Sequence, residues 1–188
     1  MPRPSLRALK HRNFRLFFAG QLVSLCGTWL QQVAMTWLVW DLAHSSRLLG
    51  LISFAGQIPM LVLAPIVGAI TEHWNRRRAL LVTQSLAMVQ ALALGILTLE
   101  GVVRVEHVFA LALFFGVVNA FDVPIRQAFL NQMVAHRDDL PNAIALNSSM
   151  VNGARLVGPA LAGILIQLVG EGWCFVLNGL SYLAVLVA

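Results

Sequence analysis

The sequence predicts an all-α membrane protein whose six transmembrane helices form two inverted three-helix repeats. The first reason is composition, because the chain is 59% hydrophobic and 11% charged, whereas soluble domains carry about 25% charged residues. The second is that the apolar residues form continuous blocks of about 20, the length of a helix that crosses a bilayer. The third is that these blocks lack the ten-residue alternation of apolar and polar residues found in membrane β-barrels.

Short polar breaks divide the apolar residues into six predicted spans. The spans cover residues 14–40, 48–70, 79–99, 107–126, 143–169 and 173–188. The breaks between them cover residues 41–47, 71–78, 100–106, 127–142 and 170–172. No polar segment follows the last span, so we expect the chain to stop within the membrane.

The basic residues predict the orientation of these spans. One side of the membrane receives ten of them: Arg3, Arg7, Lys10, Arg12, Arg15, Arg76, Arg77, Arg78, Arg126 and Arg137. The other side receives Arg47 and Arg104. Because positive residues favour the cytoplasmic side, we expect a cytoplasmic N-terminus. The same bias accounts for the net charge of +5, so no nucleic-acid partner is expected.

Polar residues recur at helical spacing within three spans. They are Gln21, Ser24, Thr28 and Gln31 in the first span, Asn119, Asp122 and Arg126 in the fourth, and Ser148, Asn152 and Arg155 in the fifth. Polar groups at this depth are costly and tend to face protein or a water-filled cavity, so we expect the stripes to converge on a shared interior. The alternative is that small hydroxyls and amides only hold helices together.

Asp122 and Arg126 are the charged pair of the fourth span. They lie four residues apart with Pro124 between them, where proline can kink a helix. A buried charge needs a partner. We expect Asp122 to pair with Arg126 or with Arg155, and the pair to form and break as the protein works.

The second break combines a glycine, an acid and a run of arginines. Gly68 is followed by Glu72 and by Arg76 and Arg77, in a loop so short that its flanking helices must be antiparallel neighbours. Gly68 would allow close helix packing, and Glu72 could cap a helix or pair with the arginines. The alternative is that the arginines only anchor the topology.

The second and fifth spans share a pattern of proline among small residues. Residues 64–70 read APIVGAI and residues 158–164 read GPALAGI. Gly153, Gly158, Pro159 and Gly163 predict a bent fifth helix that packs tightly on a neighbour. Each span is the middle of a three-helix unit, and an odd number of helices inverts the second unit. The alternative is that Gly and Pro are common in membrane helices in general.

These motifs together resemble the N-terminal six-helix half of a major facilitator superfamily transporter, over the whole chain. In the superfamily's loop between helices two and three, Gly68, Arg76 and Arg77 match, whereas Glu72, His73 and Asn75 differ. Residues 153–163 resemble the fifth-helix motif of drug:proton antiporters. Residues 121–129 and 140–148 are similar to the subfamily of enterobactin-type siderophore exporters and macrolide efflux proteins.

The resemblance implies half of a twelve-helix fold and a secondary active exporter of small amphipathic or hydrophobic compounds that works by alternating access. Proton coupling is implied too, although the arginine that many antiporters carry early in the fourth helix is absent here. The loop would latch the cytoplasmic side of a multi-pass protein in the bacterial inner membrane. The implied partners are the lipid bilayer, a small-molecule substrate, protons and a second six-helix half from the same gene or a pairing chain.

Other functions find less support in the sequence. No cofactor or metal is expected, because the five histidines show no paired ligand spacing. An enzyme is not expected, since no catalytic cluster gathers at one membrane face. The alternative that stays open is a non-transporting membrane assembly module or an inactive truncated half-transporter.

Overall fold

The computed structural model describes residue 10 and residues 12–133 and 139–187 of the protein. Arg3, Arg7, Arg137 and Ala188, which entered the predictions of orientation and spans, lie outside these residues. The helices are α1 (Arg12–Ala43), α2 (Ser46–Ile70), α3 (Arg76–Leu99), α4 (Val105–Met133) and α5 (Leu140–Val187), with a short 3-10 helix at Thr71–His73. All five of the longer helices are long and apolar enough to cross a membrane. The predicted all-α class is confirmed.

The helix α5 contains a reversal at Gly170. Its backbone angles there are φ 79° and ψ 171°, outside the helical region. Glycine adopts a positive φ of this kind more readily than other residues do. The parts before and after it, residues 140–169 and 171–187, are called α5a and α5b below. This reversal lies within the predicted break at 170–172.

The direction of the two parts follows from their contacts with α1. Early in both helices, Ala143 of α5a shares a cluster with Phe14 of α1. Further along both, Gly158 lies beside Cys26 and Leu30. The helix α5a therefore runs parallel to α1. In α5b the order is opposite, because Ala184 adjoins Gly20 and Asn178 adjoins Gly27. The parts α5a and α5b therefore form an antiparallel hairpin.

Each helix has preferred neighbours within the bundle. The most extensive contacts join α1 to α5, α2 to α4, and α3 to both α5 and α4. Several of these contacts depend on glycine, because small residues let helix backbones approach. A Cβ built on Gly116 of α4 would collide with the backbone of Gly56 of α2, and one built on Gly95 of α3 would lie 2.8 Å from Val176 Cγ2 of α5b.

The buried apolar side chains form layers along the bundle. Phe17, Leu80, Ile125 and Val185 lie at the end that carries the Thr71–His73 turn, called the loop end here. A larger cluster fills the opposite end, with members from α1, α2, α3, α4 and both parts of α5. On the outside, large apolar side chains are exposed, such as Leu61 at 77% and Leu156 at 76%. An apolar exterior suits contact with lipid.

The helices do not end where the predicted spans end. The helix α4 continues through Met133, seven residues beyond the predicted limit at 126. Polar residues end a membrane span but not necessarily a helix, since Gln and Asn tolerate helical geometry in water. The limits of the spans in the bilayer stay a prediction.

Candidate functional site

The carboxylate of Asp122 is buried between α4 and α3, with 4% of the residue exposed. Two side chains of α3 donate hydrogen bonds to its Oδ1 atom. The Thr83 hydroxyl is 2.8 Å away and the Gln84 Nε2 atom is 2.7 Å away. Hydrogen bonds to a charged acceptor are stronger than neutral ones and offset part of the cost of burial.

Arg126 supplies the cation for this carboxylate. Its Nε atom lies 3.3 Å from Asp122 Oδ2, one helical turn away along α4. The same Nε atom makes no well-aligned hydrogen bond within the described chain, so the contact is an ion pair of imperfect geometry. Thr83, Gln84, Asp122 and Arg126 are called the charged cluster below.

Of the two predicted partners of Asp122, Arg155 is not the one in contact. Its guanidinium lies 4.8 Å from the centre of the Trp29 ring of α1, within the range of a cation–π interaction. Arg155 is exposed at this position. The structure therefore joins α5a to α1 through Arg155 and keeps the pair of Asp122 within α4.

The loop between α2 and α3 packs against α4 beside the charged cluster. The Trp74 ring stacks on Phe121 with centroids 6.2 Å apart and planes 8° apart. The Arg76 Nη1 atom donates a hydrogen bond of 3.1 Å to the carbonyl of Ala128. Two separate contacts thus fasten the loop to the helix that carries Asp122.

The N-terminus of α3 is capped by Asn75. Its Oδ1 atom accepts a hydrogen bond of 3.1 Å from the Arg78 backbone N–H, the usual geometry of an N-cap. The expectation that Glu72 could cap a helix or pair with the arginines is not met within the described residues, where Glu72 is exposed and has no such contact.

The predicted close packing at glycines holds at one of four positions. A Cβ built on Gly158 would collide with Trp29 and lie 2.9 Å from the Cys26 carbonyl oxygen. No atom lies within 4 Å of a Cβ built on Gly68, Gly153 or Gly163. Within the described chain these three glycines face open space, and Pro159 is half-buried.

A second buried polar cluster joins α1, α3 and α5b. The Gln31 Nε2 atom donates to Gln90 Oε1 at 3.0 Å, and the Asn178 Nδ2 atom donates to Gln31 Oε1 at 2.8 Å. The Ser181 hydroxyl donates to the backbone carbonyl oxygen of Asn178 at 2.7 Å and lies 3.2 Å from the Asn178 side-chain Oδ1 atom. Gln31, Gln90, Asn178 and Ser181 are called the amide cluster below.

The three predicted polar stripes do not meet in one interior in this structure. Gln31 points into the amide cluster. Gln21 is buried at 2% exposure, and its Oε1 atom has no hydrogen-bond partner among the described residues. Asn119 is half-buried, while Asn152 and Arg155 are exposed. Helical spacing identifies residues on one face, but the face each helix turns to its neighbours depends on packing across the bundle.

Sequence reasoning missed the partners that α3 and α5b contribute. Thr83, Gln84 and Gln90 are polar residues inside the third apolar block, and Asn178 is one inside the sixth. The rule that polar residues within membrane spans face protein could have identified them. No group of three potential metal ligands occurs in the described parts of the chain.

Comparisons with known proteins agree with this architecture. Residues 4–188 match the family described as transmembrane secretion effector. The chain is 26% identical over 169 residues to the staphyloferrin A transporter of Staphylococcus aureus. This match covers 89% of the chain and 42% of that protein. It is 26% identical over 159 residues to the multidrug efflux pump Tap of Mycolicibacterium fortuitum, covering 82% of the chain and 39% of that protein.

A third relative is the macrolide efflux protein A of Streptococcus pyogenes, 22% identical over 160 residues, with 83% of the chain and 39% of that protein covered. The chain thus spans about two fifths of the length of these curated relatives. No solved structure matches it. Because the family match extends over residues 4–188, the chain belongs to the transmembrane secretion effector family of the major facilitator superfamily.

Proposed function

We propose that the chain forms the N-terminal part of an exporter that moves small amphipathic compounds across a bacterial inner membrane by alternating access. The relatives' names support export, since they describe a staphyloferrin A transporter, a multidrug efflux pump and a macrolide efflux protein. Because the chain spans about two fifths of their length, the proposal includes a second six-helix half. The role is transport rather than catalysis.

The observation that carries the proposal is the buried ion pair of Asp122 and Arg126 beside the loop. Charged groups inside membrane helices are expensive and are commonly functional. Here the pair is shielded by Thr83 and Gln84, and its imperfect geometry leaves it easier to break than an ideal pair. We assign it the role of a switch that changes state as the protein alternates between two conformations.

The loop contacts support a latch at the same end of the bundle. Arg76 and Trp74 tie the loop to α4, while Glu72 and Arg77 are exposed. We assign Glu72, together with Gly68 at the start of the loop, to contacts with the second half on the cytoplasmic side. An N-terminus in the cytoplasm would place the loop there.

Cavity-lining roles fall to polar residues that the bundle leaves accessible. Asn119, Asn152 and Arg155 are half-buried or exposed, and we assign Asn119 and Arg155 to the substrate pathway. Gly153 and Gly163 face open space on the same helix as Arg155, which suits contact with the second half. Gln21 and Gln31 are buried and are better assigned to holding α1 in place.

The packing of the helices supports two inverted three-helix repeats. In such an arrangement α1 corresponds to α4, α2 to α5a and α3 to α5b. The contact between α1 and α5a then corresponds to the contact between α4 and α2. The contact between α3 and α4 corresponds to the contact between α5b and α1. All four contacts occur in the bundle. A pseudo-twofold arrangement of this kind underlies alternating access in many transporters.

Proton coupling would involve Asp122, the buried carboxylate of the described chain. Addition of a proton to Oδ2, the oxygen that faces Arg126, would neutralise the carboxylate and end its attraction to Arg126. The neutral acid keeps hydrogen-bonding capacity toward Thr83 and Gln84. Protonation would thus weaken the ion pair with Arg126, while Asp122 kept its hydrogen bonds with Thr83 and Gln84.

The proposal is tested by drug or dye efflux from cells that express the protein from its own gene. Asp122→Asn preserves shape and removes the charge, so we expect at least a tenfold loss of efflux at normal expression. Asp41→Asn, at an exposed acid of α1, is the matched control and should transport normally. Unchanged efflux by the Asp122 variant at equal expression would contradict the role of the ion pair.

A further inference from the structure

A cavity of about 410 Å³ opens at the loop end of the bundle, between α1, α3, α4 and α5b. Its volume lies within the usual range for small-molecule sites, about 300–1,000 Å³. The polar residues of its wall are Asn13, Arg77, Gln84 and Gln132, and the aromatic ones are Phe17 and Phe129. Its wall therefore combines polar and apolar surface in similar measure.

Gln84 contributes a buried polar side chain to the wall of this cavity. The residue is 4% exposed, and its Nε2 atom is committed to Asp122. Its Oε1 atom is buried and has no hydrogen-bond partner among the described residues. A buried acceptor without a partner costs about 1–3 kcal/mol, so the wall is suited to an occupant that donates a hydrogen bond.

Arg77 sets the charge that the cavity favours. Among the described residues that line the cavity, Arg77 is the charged one and none is acidic. A guanidinium at the edge of an apolar space recognises a carboxylate or phosphate, which it can bind through two parallel hydrogen bonds. The apolar body of the same molecule would lie against Phe17 and Phe129.

We propose that this cavity binds an amphipathic acid that carries a hydrogen-bond donor close to its acidic group. The acid would pair with Arg77, the donor would satisfy Gln84 Oε1, and the chain would pack on the aromatic rings. The site lies apart from the pathway assigned to Asn119 and Arg155. It does not depend on that pathway, because binding can be measured without transport.

Calorimetric titration of the protein, expressed from its own gene and held in phosphatidylcholine nanodiscs, tests this site. The probe is N-dodecanoylglycine, which has a carboxylate, an amide N–H and an apolar chain. We expect saturable binding at one site, weakened at least tenfold by Arg77→Gln. Arg78→Gln is the matched control and should change the Kd less than twofold, because Arg78 lines a different groove between α3 and α4.

The amide donor is tested with N-dodecanoylsarcosine, in which a methyl group replaces the N–H. We expect it to bind severalfold more weakly to the unaltered protein. The site would be overturned by the absence of saturable binding, by equal weakening in both arginine variants, or by equal binding of dodecyltrimethylammonium. Efflux defects would leave these binding outcomes unchanged, so failure here is distinguishable from failure of the proposed export.

The source of the ligand is decided by adding phosphatidylglycerol to the nanodiscs, since this lipid also carries an acid and hydroxyl donors. A rise in the apparent Kd for the probe that is larger for the unaltered protein than for Arg77→Gln would assign the site to a membrane lipid, because general repulsion by the anionic surface affects both proteins equally. An equal change in both proteins would assign the site to a soluble amphiphile. Both results support the site and differ only in where its occupant comes from.

Discussion

The charged cluster and the amide cluster bury polar side chains in the same bundle by different means. The amide cluster is neutral and joins three helices, since its hydrogen bonds link α1 to α3 and α1 to α5b. The charged cluster keeps its ion pair within α4 and receives hydrogen bonds from α3 alone. One cluster connects many helices through modest bonds, and the other concentrates charge at one contact.

The difference teaches which cluster can act as a switch. Hydrogen bonds between membrane helices contribute about 0.6–1.7 kcal/mol each, so the amide cluster responds gradually to the loss of any member. Removing one partner of a buried ion pair costs about 3–5 kcal/mol, because the other charge remains buried. The loss of one charged partner should therefore change the charged cluster far more than the loss of one amide changes the amide cluster.

The largest expected effect is that of Arg126→Ala. Because this change leaves the Asp122 carboxylate buried without a cation, the free energy of unfolding should fall by about 3 kcal/mol or more. Measurement in mixed detergent micelles, with Arg104→Ala as an exposed control, would show it. Adding Asp122→Asn to Arg126→Ala should restore a large part of the loss. A loss no greater than that of a single amide change would remove the contrast between the clusters.

An intermediate effect is expected for Asn178→Leu in the amide cluster. The change keeps the number and branching of the side-chain heavy atoms but leaves Gln31 Oε1 without the donor that satisfies it, so unfolding should become easier by about 1–3 kcal/mol. The exposed Asn152→Leu, whose amide bonds only to its own helix, is the control. If the two leucine variants were equally stable, the amide cluster would contribute nothing to the connection of the helices.

The smallest effect is expected for Thr83→Val in the charged cluster. Asp122 keeps Gln84 and Arg126 as partners, so the loss of one hydroxyl should lower the free energy of unfolding by about 1 kcal/mol. Thr36→Val, which removes an exposed hydroxyl bonded within its own helix, should be close to neutral in the same assay. A loss as large as that of Arg126→Ala would mean that hydrogen bonding rather than charge pairing dominates the cluster.

The sequence was sufficient for features that depend on neighbours along the chain. The helical class and the reversal at residues 170–172 follow from apolar block length and glycine. The spacing of four residues made Arg126 one of the two partners expected for Asp122. The Asn75 cap is equally local and could have been found from the distance of three residues to Arg78. These features need no knowledge of how helices pack.

Features that depend on helix packing could not be read from the chain. Thr83 and Gln84 meet Asp122 because α3 lies at a particular rotation and height against α4. Gly158 meets α1 while Gly153 and Gly163, on the same helix, face open space. Side chains five residues apart on a helix point in different directions, and only the full set of contacts decides which direction is toward a neighbour.

The reversal at Gly170 has a practical consequence for probing the protein from outside. At the end of the bundle opposite the loop end, the helices are joined only by residues 44–45, by residues 100–104 and by Gly170 itself. Because these three connections are so short, they offer proteases few cleavage sites and antibodies few epitopes at that end of the bundle. An epitope tag or a labelling cysteine placed in one of these connections has room between α3 and α4 and almost none in the other two.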